Sequence, residues 1–210
     1  MKIGIIGGSV RDEQAGASVG EWVLRHAQAK GGAEFELVSL KDFDLPVFSS
    51  ATLPAMADKS YDSEQVQAWS LVIDDLDGYI FVTPEYNHGV PGGFKNAVDS
   101  LGSEWNGKVL GLVGYGAVGG VRAVEQWRLI IANFSQTVVR AAVDLSIFTD
   151  FADGAVIDSG PKVTALNGVL DEVITAGALS PPGAPAPLCG GPLPRLRARR
   201  WGSRRRRRDH

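Results

Sequence analysis

The chain has 210 residues, 44% hydrophobic and 21% charged, with a formal net charge of −3, a size that allows one α/β domain with a substantial core but no second domain of full size. A lone cysteine, Cys189, excludes an internal disulfide framework and a cysteine-rich metal site. No apolar run approaches the ~18 residues of a membrane helix, and residues 1–8 are too short and glycine-broken for a signal-peptide core, so cytoplasmic residence is the default expectation.

Residues 2–7, KIGIIG, form a short β-branched run of the kind a parallel sheet buries on both faces, and predict the first strand. Val19, Trp22, Val23, His26 and Ala27 then recur at helical spacing until Gly31 and Gly32 stop the helix. A second strand is expected over 35–40, followed by a Pro-containing loop over 43–54 that covers part of a pocket. Val66, Trp69, Val72, Ile73 and Leu76 mark a second amphipathic helix. Strands are expected over 79–83 and 109–113, with a short helix starting near Gly92 between them. Val121, Val124, Trp127, Ile130, Ile131 and Phe134 share the stripe of a further long helix, and 137–143 reads as the fifth strand. The last helix uses Val163, Leu166, Leu170, Val173 and Ile174. Strands alternating with helices give an α/β fold, a doubly wound five-stranded parallel sheet with right-handed crossovers and strand order 2-1-3-4-5.

The net charge hides two opposite regions. Residues 1–194 hold 12 Lys/Arg and 23 Asp/Glu, a formal −11, whereas residues 195–210 hold 9 Arg and one Asp, a formal +8. Six of the eleven prolines fall between positions 181 and 194, just before the Arg204 to Arg208 run. Such a composition builds no core. The expected division is therefore a domain over 1–177 and a disordered Pro/Arg-rich tail over 178–210. Read-through past the natural end of a domain accounts for that tail more simply than attachment to nucleic acid or membrane, neither of which is an expected partner.

Chemistry concentrates in three loops. The first, Gly7-Gly8-Ser9-Val10-Arg11-Asp12-Glu13-Gln14-Ala15-Gly16, runs from the first strand into a helix. A phosphate there would meet free backbone amides, the Ser9 hydroxyl and the Arg11 guanidinium. Gln14 could add a hydrogen bond but no charge, while Asp12 and Glu13 bring negative charge. The loop has no Gly-Lys-Ser/Thr and no GxGxxG spacing, so one phosphate fits better than two.

The second loop follows the third strand and reads TPEYNHGVPGGFKNAVD over 83–99. Ligands of open parallel sheets sit outside the carboxyl ends of the strands. A rigid loop carrying Pro84, Glu85, Tyr86 and Asn87 could hold a planar heteroaromatic cofactor there. The third loop, Gly114-Tyr115-Gly116-Ala117-Val118-Gly119, matches GxGxxG, with Asp144 downstream at a distance suited to a ribose hydroxyl. Alone it suggests a conventional NAD-binding unit. That unit would leave the Ser9 and Arg11 loop idle.

Three stretches, PEYNHGVPGGFKNAVD, IGIIGGSVRDEQAGASVGEWV and VGYGAVGGVRAVEQWR, resemble the NADPH-dependent FMN reductase family in the expected order. The similarity runs from about Lys2 to about Gly177. These flavodoxin-like proteins include quinone, azo-dye and chromate reductases. The resemblance implies FMN as cofactor, NADPH or NADH as hydride donor, and a small-molecule electron acceptor: a quinone, an azo compound, a free flavin or a metal oxyanion. It implies that Ser9, Arg11, Gln14 and Gly16 surround the FMN phosphate. Pro84, Glu85, Tyr86, Asn87, Tyr115, Gly116 and Gly119 would lie about the isoalloxazine. The family commonly has a further Ser or Arg where Gln14 stands, and Asn or Gly at position 16. Family members pair so that the flavin pocket lies at a subunit interface. A homodimer or homotetramer is therefore expected, and Trp22, Trp69 and Trp127 are read as surplus apolar surface for that contact.

No side chain is needed as a catalyst in this reading, because the flavin carries the chemistry. His88 reads as a loop residue near the pocket mouth, and His26 as packing. Ser9 has no nearby histidine for a triad, and the three scattered histidines show no metal-ligand spacing. An electron carrier of the flavodoxin type remains the rival; such carriers stack the flavin between aromatics, for which Tyr86 and Tyr115 are the candidates.

Overall fold

The structure is a computed structural model, and it describes residues 1–12 and 14–179. Five parallel strands lie in the order β2-β1-β3-β4-β5: β1 (Lys2–Gly7), β2 (Glu34–Ser39), β3 (Gly78–Pro84), β4 (Val109–Gly116) and β5 (Thr137–Ser146). The crossover helices are α1 (Gln14–Lys30), α2 (Glu64–Asp75), α3 (Gly92–Asp99) and α4 (Val121–Ile131), and α5 (Gly160–Leu179) closes the chain order. The flavodoxin-like order read from the sequence is the one observed.

Alternation along the strands splits the interior into two cores. Ile3 and Ile5 of β1 face α1 and α5 together with Val19, Val23, Leu166 and Leu170, whereas Ile6 faces the opposite side with Trp69, Phe94 and Trp127. β3 is buried along its whole length, as its central place in the sheet requires. Ser63 caps α2 by accepting the Val66 amide at 3.3 Å.

The tryptophans behave differently from their reading as surplus surface. Trp22, Trp69 and Trp127 are 2%, 0% and 0% exposed, so all three belong to the intramolecular core. Each finds a partner for its indole N–H inside the chain: Asp158 for Trp22, the Ala97 carbonyl for Trp69 and the Thr83 hydroxyl for Trp127. Burial with a satisfied donor is the arrangement that holds a tryptophan in a core. His26 packs edge-on to Trp22 and sits 2.8 Å from an Asp158 carboxylate oxygen.

A two-stranded hairpin, β6 (Phe151–Ala152) and β7 (Ala155–Val156), adds to the expected elements. Asp153 and Gly154 turn it with φ of 50° and 80°. An Asp-Gly pair between short strands is the usual chemistry of such a turn. α5 continues to Leu179, two residues past the expected domain end, and the Pro/Arg-rich tail lies outside the described residues.

Candidate functional site

The loops leaving β1, β3 and β4 meet side by side because those strands are neighbours in the sheet. Backbone bonds tie them: the Gly8 amide donates to the Val82 carbonyl at 2.9 Å, and the Glu85 amide donates to the Tyr115 carbonyl at 3.1 Å. The site therefore stands on the most buried part of the fold.

In the first loop the Ser9 hydroxyl accepts the Arg11 amide at 3.3 Å and lies 3.3 Å from the Tyr86 hydroxyl. The Arg11 guanidinium stands 5.8 Å from the centre of the Tyr86 ring. Tyr115 is 3% exposed and its hydroxyl rests on the first turn of α1, where a Cβ added to Gly16 would come within 2.5 Å of it. Ser9, Arg11, Gly16 and Tyr115 thus line one cleft of about 420 Å³. Donors at the start of a helix, an arginine and a hydroxyl suit a phosphate group. Gln14 opens α1, but its side chain lies outside the described residues. Asp12 pairs with Lys41, which donates a hydrogen bond to it and holds its carboxyl below the usual range.

The second loop is a tight reversal. Tyr86 and Gly89 exchange two backbone hydrogen bonds of 3.0 Å, and the residues between them, Asn87 and His88, have φ of 50° and 66°. Left-handed backbone at both central positions defines the mirror-image hairpin turn. Asn and His tolerate it better than most residues.

One helix holds that turn in place. The Glu85 carboxylate accepts the Arg122 amide at 2.9 Å and the Arg122 guanidinium at 2.7 Å. Gln126 accepts the Val90 amide at 3.0 Å and donates to the His88 carbonyl at 3.3 Å. Burial alone would raise the Glu85 pKa. The hydrogen bonds from Arg122, with that of the Ala123 amide, outweigh burial and hold the group below the ordinary glutamate range. The Glu85 side chain, 7% exposed, is therefore turned to α4, and only its backbone is open to the site. Arg122 and Gln126 were not among the residues singled out from the sequence. Their spacing of four residues, which puts both on one helix face, is the signal that could have found them.

In the third loop the Gly116 carbonyl accepts the Gly119 amide at 3.2 Å and the Ile147 amide at 3.0 Å, leaving Ala117 and Val118 exposed at the tip. Gly119 is buried with φ of 77°, and an added Cβ would stand 2.7 Å from the Asp144 Cβ. Its glycine is required by the neighbouring strand. The conventional NAD-binding reading of this loop fails on two counts. A pyrophosphate would need the amides at the start of α4, and the Glu85 carboxylate already occupies the Arg122 amide. Asp144, the would-be ribose ligand, is paired with Lys162 at 3.0 Å.

The expected residues thus fall into two groups. Ser9, Arg11, Gly16 and Tyr115 share the cleft, and Tyr86 joins them through Ser9. Pro84, Glu85, Asn87, Gly116 and Gly119 form the adjoining rim and do not line that cleft.

A model of the NADPH-dependent FMN reductase family matches residues 1–150 of this chain. The chain belongs to that family. Among its relatives is the NAD(P)H-dependent FMN reductase ntnL of Nectria sp, 34% identical over 187 residues, which span 83% of this chain and 92% of the relative. A 2-hydroxy-1,4-benzoquinone reductase of Burkholderia sp is 32% identical over 142 residues, 63% of this chain and 70% of the relative. The solved structure of FerB, a flavoenzyme NAD(P)H:(acceptor) oxidoreductase from Paracoccus denitrificans, superposes with a TM-score of 0.63 at 23% identity. That superposition covers 85% of this chain and 98% of FerB, and it carries the fold. The family is one of oxidoreductases that use FMN and NAD(P)H.

Proposed function

We propose that this chain is an FMN-containing NAD(P)H oxidoreductase that passes two electrons to a small acceptor: a quinone, an azo compound, a free flavin or a metal oxyanion. The observation that carries the reading is the junction of the Ser9 and Arg11 loop with the Tyr86 to Gly89 turn, where a phosphate cradle and a preformed rim stand together. Names of relatives that reduce FMN or a benzoquinone support the acceptor class.

Ser9 and Arg11 would hold the FMN phosphate at the start of α1, with Gln14 and Gly16 beside it. Backbone groups of Pro84, Glu85, Tyr86 and Asn87 would read the polar edge of the ring from one side, and the Tyr115 backbone with Gly116 and Gly119 would support it from the other. The flavin, when bound, accepts hydride and returns electrons, so the chain's own task is to bind, orient and keep one ring face open. Tyr115 lies in the cleft floor and Tyr86 leans on Ser9 and Arg11. A flavin face left uncapped by both tyrosines would make the chain an enzyme rather than a flavodoxin-type electron carrier.

The same reading has the enzyme cytoplasmic, a homodimer or homotetramer, with the domain over 1–177 as the working unit. No helix among the described residues is long and apolar enough to cross a membrane. Val118, Ile147 and Phe148, exposed beside the Gly116 turn, supply apolar surface for a subunit contact in place of the tryptophans. The test is an absorbance spectrum of the purified protein followed by anaerobic addition of NADPH. Oxidised-flavin bands that bleach on mixing are the expected result; a colourless protein that takes up no FMN sinks the proposal.

A further inference from the structure

The cleft that contains Ser9, Arg11, Gly16 and Tyr115 does not end at the phosphate loop. It continues along α1 past Gly20 and Glu21 and across the end of β2 at Leu37, Ser39 and Lys41. Its volume of about 420 Å³ is more than one phosphate fills. The Tyr86 to Gly89 turn, proposed above to frame the flavin ring, lines no part of it, so a ring held there would leave the phosphate loop in another direction. The far half is open to a different occupant.

The far half has the chemistry of a nucleoside site. Leu37 lies against α1 where Gly20 has no side chain; a Cβ there would come within 2.9 Å of it. Leu37 nevertheless remains 38% exposed on the cleft, an apolar floor for a flat base. The Ser39 hydroxyl and the exposed Glu21 carboxylate are suited to ribose hydroxyls. Lys41 offers a cation within reach of a second phosphate, and its present partner, Asp12, is the only acid it must release among its described ion pairs. In the dinucleotide-binding doubly wound sheet, which differs from this one in strand order, the end of the second strand lies beside the ribose of the nucleoside. β2 holds that place here.

Resting on the proposed phosphate site at Ser9 and Arg11, we infer that the cleft holds the adenosine monophosphate half of a flavin adenine dinucleotide, so that the chain takes FAD as well as FMN. The loop sequence by itself favours a single phosphate; the length of the cleft and the position of Lys41 extend it to two. The charges facing the ligand are Arg11 and Lys41 against Asp12 and Glu21, and a second phosphate exchanges places with the Asp12 carboxylate on Lys41.

The experiment uses the full chain stripped of flavin and titrated with FMN or FAD, following quenching of flavin fluorescence. FAD should bind within tenfold of FMN. Ser39→Trp, which fills the far half, should weaken FAD at least tenfold and FMN less than twofold. Lys41→Ala should weaken FAD at least threefold more than FMN, and it serves as the second variant should Ser39→Trp misfold by circular dichroism. FAD more than tenfold weaker than FMN, or equal losses for both flavins in the variants, overturns the inference. NADP⁺ titrated into FMN-loaded protein distinguishes the other source of an adenine nucleotide. If Ser39→Trp weakens NADP⁺ and leaves FAD untouched, the cleft belongs to the hydride donor and the assignment falls. Failure of the unmodified chain to bind either flavin removes the phosphate site itself, and this inference with it.

Discussion

The Glu85 carboxylate caps α4 by accepting both the backbone amide and the guanidinium of Arg122, at 2.9 and 2.7 Å. One side chain from the loop after β3 thus does the work of a helix cap and of an ion pair. The loop and the helix become a single rigid unit at the edge of the site.

Glu85→Gln should lower stability by about 1–2 kcal/mol, the range of a lost cap and a weakened charged hydrogen bond, since Arg122 is partly exposed and its charge is screened. The effect depends on pH. The folded pKa of Glu85 lies below its ordinary value of 4.5, so its contribution is complete above that value and disappears as pH falls through the folded pKa. Urea midpoints at pH 7 and pH 3.5 check this. Equal acid sensitivity in wild type and variant would show that Glu85 titrates normally.

Arg11→Ala should weaken FMN by about 1.5–3 kcal/mol, roughly tenfold to 150-fold, through loss of a charge-assisted hydrogen bond to phosphate. Fluorescence quenching measures it directly. An unchanged dissociation constant would mean that the phosphate sits elsewhere.

Lys108 gives a second pH signal on the opposite side of neutrality. Burial lowers its pKa to about 8, although its Nζ donates to the Ile73 and Asp74 carbonyls at 2.8 and 3.0 Å. Between that value and the ordinary 10.5 the unfolded chain holds a proton that the folded chain has released. Stability should therefore rise with pH from about 8. The window closes where tyrosines of the unfolded chain begin to ionise, because buried Tyr79 resists ionisation. Urea midpoints at pH 7.5 and 9.5 should climb in the wild type and stay level in Lys108→Met; the same climb in both would exclude Lys108 as the source.

A chain ending at Leu179 should fold and keep NADPH-dependent activity, since the last fully buried residue of α5 is Val173. Thermal melting by circular dichroism and an activity assay decide it. Loss of soluble expression would tie the residues beyond 179 to the body.

The fold was legible because each strand is a short β-branched or apolar run and each helix carries a clean stripe: Val19, Trp22 and Val23 on α1, Val124, Trp127 and Ile131 on α4, all now buried. The grouping of Ser9 with Arg11 was legible too, since both lie within one loop. Contacts between distant elements were not. No local spacing announces that Arg122 reaches the Glu85 carboxylate across the β4 crossover, or that the Tyr115 hydroxyl comes to rest beside Gly16. The tryptophans misled because a helical stripe does not say which surface covers it. The β6–β7 hairpin could have been found from Asp153-Gly154, but two-residue strands leave no periodicity to read.

The turn at Asn87 and His88 places two successive non-glycine residues in the left-handed region, at about 1–2 kcal/mol each. A free peptide of that sequence would adopt other shapes. Its geometry is therefore a property of α4 as much as of the turn, through Arg122 and Gln126. Anyone transplanting the PEYNHG segment into another scaffold would have to carry that helix face along with it. Positions 85–90, 122 and 126 form one unit of substitution, in which a change on the helix is answered on the loop.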